Sequence, residues 1–237
     1  MTSISVCLAL YNGEKYIKEQ LDSIIIQLPE EGEIIISDDG SSDNSINIIN
    51  AFNDNRIKVI RNNSRHGVIH NFENALSNAS GLYIFLCDQD DVWLPNKIST
   101  FEKYLNNYDL VVSDCKVVDK DLNIINESFF NIINSQKGFF RNLYKNGYLG
   151  CCMGFNKKIL KCVLPFPRNI AMHDIWIGLC AELYGNPIFI KEQLSLYRRH
   201  GDNESCASEK SIYSLSFKIR YRLYMLIHLV LRYFRVK

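Results

Sequence analysis

A chain of 237 residues with 47% hydrophobic and 22% charged content is long enough for one large domain and too apolar to be disordered. Its formal charge of +1 hides a split: of 27 basic residues seven lie from Lys210 onward, where there is no acid, so the preceding body holds 20 bases against 26 acids, a formal −6. An acidic body argues against nucleic acid as a partner, and eight cysteines without a CxxC pair support neither thioredoxin-type chemistry nor a zinc site.

Ile4 to Leu10 predicts a strand, and Glu14 to Leu28 a helix with apolar positions at Ile17, Leu21, Ile24, Ile25 and Leu28. The alternation continues with a strand at Ile34-Ile35-Ile36, a helix over Ser42 to Phe52, a strand over Ile57 to Ile60 and a helix over Asn71 to Ala79. A strand over Tyr83 to Cys87 and a helix over Asn96 to Leu105 follow. Unbroken apolar strands between helices predict an α/β fold with a mostly parallel sheet covered on both faces. Such sheets bind ligands beyond the carboxyl ends of their strands, where Tyr11-Asn12-Gly13, Asp38-Asp39-Gly40 and Asp88 to Asp91 fall. Beyond a strand at Leu110 to Ser113 the pattern loosens. A hairpin over Lys116 to Ile125, a helix near Lys137 to Lys145, a loop from Gly147 to Gly154, a helix over Asp174 to Leu183 and strands at Ile188 to Ile190 and Leu194 to Tyr197 precede a polar loop over Arg198 to Glu209. Cys7, Cys87 and Cys180 sit inside apolar runs, as buried thiols do. The N-terminus lacks a basic stretch followed by a long apolar core, the pattern of an unprocessed cytosolic start.

The chemistry concentrates in polar punctuation. Asp88, Asp90 and Asp91 place three carboxylates within four positions at a strand end, suited to Mg²⁺ or Mn²⁺ shared with a diphosphate, or alternatively to a solvated cap of the helix that starts near Asn96. Asp38 or Asp39 could accept the imide N–H of a pyrimidine base, while Gly40 permits a turn and Ser41 or Ser42 caps the next helix. Neither GxGxxG nor GxxxxGK[ST] occurs, so phosphate would meet metal and cations, for which Arg65-His66 and Arg198-Arg199-His200 are the candidates. Asp174, after His173, could cap its helix or act as a general base.

In order along the chain, Val6 to Tyr16, Asp38-Asp39-Gly40-Ser41-Ser42-Asp43, Asp88-Gln89-Asp90-Asp91-Val92-Trp93, His173-Asp174-Ile175-Trp176 and Tyr197-Arg198-Arg199-His200-Gly201 resemble glycosyltransferase family 2, most like bacterial rhamnosyltransferases. The resemblance implies a GT-A fold over 1–209, with a nucleotide-sugar-binding half (1–114) and an acceptor-binding half (115–209), and inverting transfer with Mn²⁺ or Mg²⁺ as cofactor. It implies that Ala9, Tyr11 and Glu14 line the nucleoside pocket and that Asp38 or Asp39 contacts the base. Asp88 would face the ribose or donor sugar, Asp90 and His200 would hold the metal, and Arg198 or Arg199 would help close over the diphosphate. Asp174 would be the base, and Gly150, Cys151, Cys152, Met153, His173 and Trp176 would form the acceptor side. The donor so implied is a dTDP- or UDP-sugar, with dTDP-rhamnose foremost, and the acceptor a lipid-linked saccharide of bacterial surface polysaccharide such as O-antigen or capsule. A UDP-hexose enzyme and a non-catalytic nucleotide-sugar-binding scaffold are the alternatives. Ala9-Leu10 stands where many relatives have Thr-Pro, and Phe72-Glu73 where many have Arg-Asn, so base recognition departs from the family pattern.

The tail, 210–237, predicts a basic amphipathic helix over Ser211 to Val236. Its longest apolar stretch, Leu223 to Leu231, is far short of the ~20 residues that span a bilayer. It suits an anionic membrane surface, placing the protein at the inner face of the cell membrane, or else packs on the acidic body.

Overall fold

The apolar runs of the first half become strands, all but the edge strand at Ile57–Arg61 buried on both faces. β1 (Ile4–Leu10), β2 (Glu33–Asp38), β3 (Ile57–Arg61) and β4 (Tyr83–Asp88) are mutually parallel in the order β3-β2-β1-β4, with α1 (Ile17–Ile25), α2 (Ser45–Asn50) and α3 (Val68–Ser77) as crossovers. The alternation of β1 explains why it is apolar apart from Ser5: Cys7 and Ala9 join one hydrophobic cluster, and Ile4, Val6, Leu8 and Leu10 the other. The computed structural model describes residues 3–200 and 214–236.

The less regular second half completes the same sheet. After the two-residue β5 (Val92–Trp93) and α4 (Lys97–Leu105) comes β6 (Leu110–Val118), twice as long as the predicted strand, which turns back into β7 (Ile124–Asn126) through the expected hairpin. Helices α5 (Phe129–Ile133) and α6 (Phe139–Tyr144) lead to a 3₁₀ turn at Gly150–Cys152. The chain then enters β8 (Met153–Asn156), α7 (Lys157–Val163), α8 (His173–Tyr184) and β9 (Pro187–Arg198). β8 lies antiparallel between β4 and β6, while β9 runs parallel to β6 and pairs with β5 on its other edge. The two strands predicted at Ile188 and Leu194 are thus one strand, whose register slips beside Ser113 and Asp114. The seven described cysteines are all buried and unpaired.

Two boundaries move for reasons that shape the site. The first helix starts at Ile17 because Gly13 O takes the N–H groups of Tyr16 and Ile17, while the Glu14 N–H donates to Asp43 Oδ2. The second starts at Ser45, and neither Ser41 nor Ser42 caps it. Instead Ser41 Oγ accepts the Asn12 N–H, and the Ser42 N–H donates to Asn12 Oδ1. Asn12 itself takes a left-handed conformation at φ 49°.

α9 (Leu215–Val236) lies on the body by one face. Met225 and Leu229 are fully buried there, and Arg232 reaches the carbonyls of Leu164 and Pro165 with its guanidinium 5.5 Å from the Trp176 ring. Among the described residues no helix is long and apolar enough to cross a membrane. Residues 201–213, which hold most of the predicted polar loop and the start of the tail, lie outside the described ones.

Candidate active site

Strand register brings the acids together. Leu10 pairs with Asp38, and Ala9 with Asp88, so the loops after β1, β2 and β4 leave one edge of the sheet at one level. The β1 and β4 loops are joined by a reciprocal amide pair: the Tyr11 N–H donates to Gln89 Oε1 at 2.9 Å, and Gln89 Nε2 returns a bond to Tyr11 O at 3.0 Å. A Cβ on Gly13 would sit 2.7 Å from that Gln89 oxygen, so this close approach requires glycine. Glu14 accepts the Asn44 N–H, tying the loop to α2, while Tyr11 projects into solvent.

Asp38 uses one oxygen on the Ser41 N–H at 2.9 Å. Asp39 has both engaged, Oδ1 with Asn62 Nδ2 (2.7 Å) and His66 Nδ1 (3.1 Å), Oδ2 with the Gly67 N–H (2.7 Å). Of the two candidates for base recognition, Asp39 is therefore committed to holding the loop over 62–67, and His66 stands beside it rather than over a phosphate path.

The acidic quartet resolves into three environments. Asp88, half-buried, is pushed up to about 7 by burial and then by Asp90 and Asp174, whose charges it senses. Asp90 Oδ2 lies 2.8 Å from His200 Nε2. Asp91 is fully buried; its Oδ1 accepts the Arg198 N–H at 2.9 Å, its Oδ2 has no partner, and burial, then Asp90 and Asp88, hold its proton well above the usual carboxylate range. The capping alternative fails, since Asn96 starts α4 in a left-handed conformation with no side-chain cap. Ligand atoms of Asp88, Asp91 and Cys151 lie within 4.8 Å of one another. The contact of Asp90 with His200, and an orphaned carboxylate oxygen one residue on, fit a cation held by hard ligands.

Asp174, within electrostatic reach of Asp88, occupies the first turn of α8, past the N-cap residue Met172, so it does not cap the helix. It accepts the Ile175 N–H (2.6 Å) and Asn146 Nδ2 (3.2 Å), and burial pushes it up to about 6. His173 stacks on Phe72 at 4.2 Å with its Nε2 buried and unpartnered, and burial lowers it to about 4. Phe72-Glu73, the departure from the family pattern, thus packs: Phe72 under His173, and Glu73 on the Phe166 N–H at 2.7 Å.

Several expected contacts face inward instead. Arg198 is only 2% exposed; it donates to Asp90 O (2.7 Å), Lys120 O (2.7 Å) and Glu19 Oε2, with its guanidinium 4.6 Å over the Tyr16 ring. It is a clamp on the quartet rather than a diphosphate contact, which leaves Arg199 as the candidate of that pair. Cys151, Cys152 and Met153 are core residues, and Trp176 is fully buried with its indole N–H on Val163 O at 3.0 Å. None of these four side chains reaches an acceptor. Gly150 packs closely under His173, where a Cβ would stand 3.0 Å from His173 Nε2.

Sequence reasoning missed two residues. Lys97 is wholly buried, donates to Cys151 O (2.6 Å) and Ser195 Oγ (2.7 Å), sits 4.4 Å over Trp93, and opposes the rise of Asp88. Tyr16 lies between Arg198 and His200, its ring stacked 5.0 Å from the imidazole and its hydroxyl buried without a partner. A lysine six residues after three clustered acids was the one available signal.

The sequence profile described as Glycosyl transferase family 2 matches residues 5–164. The Escherichia coli UDP-Glc:alpha-D-GlcNAc-diphosphoundecaprenol beta-1,3-glucosyltransferase WfgD is 29% identical over 150 residues, 62% of this chain and 57% of that protein, so the chain spans little more than half the length of this relative. Staphylococcus aureus TarS 1-349, solved in complex with UDP-GlcNAc, superposes with a TM-score of 0.70 at 19% identity, covering 99% of this chain and 73% of that one. The mannosyltransferase PcManGT from Pyrobaculum calidifontis, solved with GDP-Man and Mn²⁺, gives 0.65 at 18% identity over 84% and 58%. These likenesses show the expected GT-A-type fold, with its mostly parallel sheet flanked by helices.

Proposed function

The chain belongs to glycosyl transferase family 2, and we propose that it moves a hexose from a nucleoside diphosphate sugar to a hydroxyl of a lipid-linked saccharide, inverting the anomeric centre. The observation that carries this reading is the convergence of Asp38, Asp88, Asp90 and Asp174 on one sheet edge, with Asp174 close enough to raise the proton affinity of Asp88. Asp38, in the turn that Ser41 ties to the Asn12 loop, would meet the base; Asp88 would face the donor sugar; Arg199 would approach the diphosphate. A divalent cation held by Asp90 and His200 would neutralise charge on the departing diphosphate.

Asp174 would act as the base. A carboxylate raised to about 6 is still mostly ionised at pH 7 yet takes a proton more readily than an ordinary aspartate. As the acceptor oxygen bonds to the anomeric carbon, its proton passes to Asp174 and the bond to the diphosphate oxygen breaks. Asn146 keeps that carboxylate oriented, and neutral His173 adds no competing positive charge. One base suffices for a single displacement, so no second carboxylate nucleophile is needed.

For the donor, a UDP-hexose is the better-supported choice. WfgD carries UDP-Glc in its name, whereas the tryptophans of the motifs that resemble rhamnosyltransferases, Trp93 and Trp176, are buried core residues that speak for packing rather than for a particular sugar. Incubating the protein with UDP-glucose or dTDP-rhamnose, a synthetic diphospholipid-linked acceptor and Mn²⁺ or Mg²⁺ tests this. Glucosylated product with UDP-glucose is expected. Product from dTDP-rhamnose alone would move the donor to rhamnose, and nucleotide binding without product from any donor would favour the scaffold.

A further inference from the structure

We propose that the outward face of α9, together with the exposed face of α6, is a docking surface for an anionic lipid bilayer that sets the Asp174 side of the site against the membrane; the role given to the acceptor rests on the reading above. α9 has two apolar faces. Its inner one, Met225 and Leu229, is already buried in the core, and Tyr224 and Tyr184 tie it further to the body through hydrogen bonds with the Asn169 N–H and Leu229 O. The outer one carries Ile219, Leu223, Ile227, Val230, Leu231 and Phe234, each about half exposed or more. Their spacing of three or four residues makes one continuous stripe along the helix, which none of the described residues of the body covers.

The stripe continues onto α6. Arg222 donates to Leu143 O (2.9 Å) and Tyr144 O and lies 5.5 Å over the Tyr144 ring, fixing the C-terminal end of α6 beside α9. Phe140 and Tyr144, four residues apart on α6, are 80% and 76% exposed. Two residues beyond Tyr144 stands Asn146, the partner of Asp174, which also reaches exposed Met172. The apolar surface therefore runs from α9 across α6 to the edge of the proposed acceptor side.

Charge decides between occupants. No acid occurs from Lys210 onward, and Lys218 and Arg220 flank the stripe at its N-terminal end. A second copy seated across a two-fold axis would bring two basic helices together, whereas anionic headgroups complement them. A helix too short in apolar length to span suits the interface plane.

The test is flotation of the full chain with vesicles of phosphatidylglycerol and phosphatidylcholine, and of phosphatidylcholine alone. Alongside, transfer is assayed to a water-soluble short-chain acceptor and to a long-chain lipid-linked one. Flotation with the anionic vesicles is expected, weakened at least tenfold in Leu223→Asp/Ile227→Asp and, as an independent variant on the other helix, in Phe140→Asp. Each variant should keep its melting temperature and its rate on the soluble acceptor, and lose rate on the long-chain one. Absence of wild-type flotation, flotation unchanged in both variants, or a concentration-dependent dimer that Ile227→Asp disperses without any vesicle binding would overturn the proposal. Flotation sensitive to these variants in a protein that glycosylates neither acceptor would uphold the docking surface and overturn the transferase reading instead.

Discussion

The two ends of the same three strands treat carboxylates in opposite ways. At the amino end of β1, β2 and β4, Glu33 is held by Ser5 Oγ (2.5 Å), the Ser80 N–H and hydroxyl (2.8 and 2.7 Å) and Lys58 Nζ (2.7 Å). Burial is thereby outweighed, and Glu33 falls to about 2. At the carboxyl end Asp88 rises to about 7, Asp174 to about 6, and Asp91 keeps an orphan oxygen. One edge satisfies its acid and gains stability; the other crowds unsatisfied acids and is stable only in so far as the rest of the fold tolerates them. Ligand-free destabilisation at one end of a sheet is what a site awaiting cationic and hydrogen-bonding partners looks like.

That contrast can be broken by substitution. Asp174→Asn should lower turnover by about 10³-fold, the range lost with a general base, as measured by initial rates on saturating acceptor. Near-wild-type turnover would remove Asp174 from the base role. Glu33→Gln should leave kcat unchanged and destabilise the fold by about 2–3 kcal/mol in urea titrations at pH 7. Because the folded Glu33 value lies below its unfolded one, its stabilisation is present above about pH 4.5 and disappears as pH falls towards 2. Wild type and Glu33→Gln should thus converge in acid, and parallel curves would sink the assignment.

Lys97→Met sharpens the comparison, since the buried Lys97 is a counter-charge that opposes the rise of Asp88. Its removal should push Asp88 further up and move the acid limb of the pH–rate profile to higher pH, costing about tenfold in rate at pH 7. Profiles that superimpose would reduce Lys97 to a packing role. The smallest effect is a gain. Asp174 is raised on folding, so it binds protons more readily in the native state, and its contribution to stability falls as pH rises from about 4 through 6. At pH 8, Asp174→Asn should therefore raise the melting temperature by about 2–4 °C, equivalent to ~1 kcal/mol, in calorimetric scans of the inactive variant.

The β1 to β4 half was legible because hydrophobic runs separated by amphipathic helices leave little choice of architecture, and the acid motifs then fall at strand ends by topology alone. Orientation was not legible. A run of Arg198-Arg199-His200 reads as three cations at a loop, but Arg198 is the last residue of β9 and turns inward to Glu19, Asp90 and Lys120, contacts that require the fold to be closed. Asp39 and Trp176 were misjudged for the same reason. Their partners, Asn62 and Gly67 for one, Val163 and Arg232 for the other, come from segments whose position sequence spacing does not encode. Lys97 was overlooked because a lysine beside acids normally points to water.

Arg198 also bears on when the molecule becomes active. Its bond to Glu19 spans 179 residues, and the backbone N–H that it lends to Asp91 belongs to the final strand of the sheet. A growing polypeptide can therefore lay down β1 to β4 early, from mostly local crossovers, while its acidic quartet stays unbraced until β9 has been made and inserted. Competence at the site then reports that synthesis and docking of β9 are complete, and a chain cut short before Arg198 would carry the Asp38 and Asp88 to Asp91 motifs yet lack Arg199 and His200 and leave Asp91 and Asp90 without their frame.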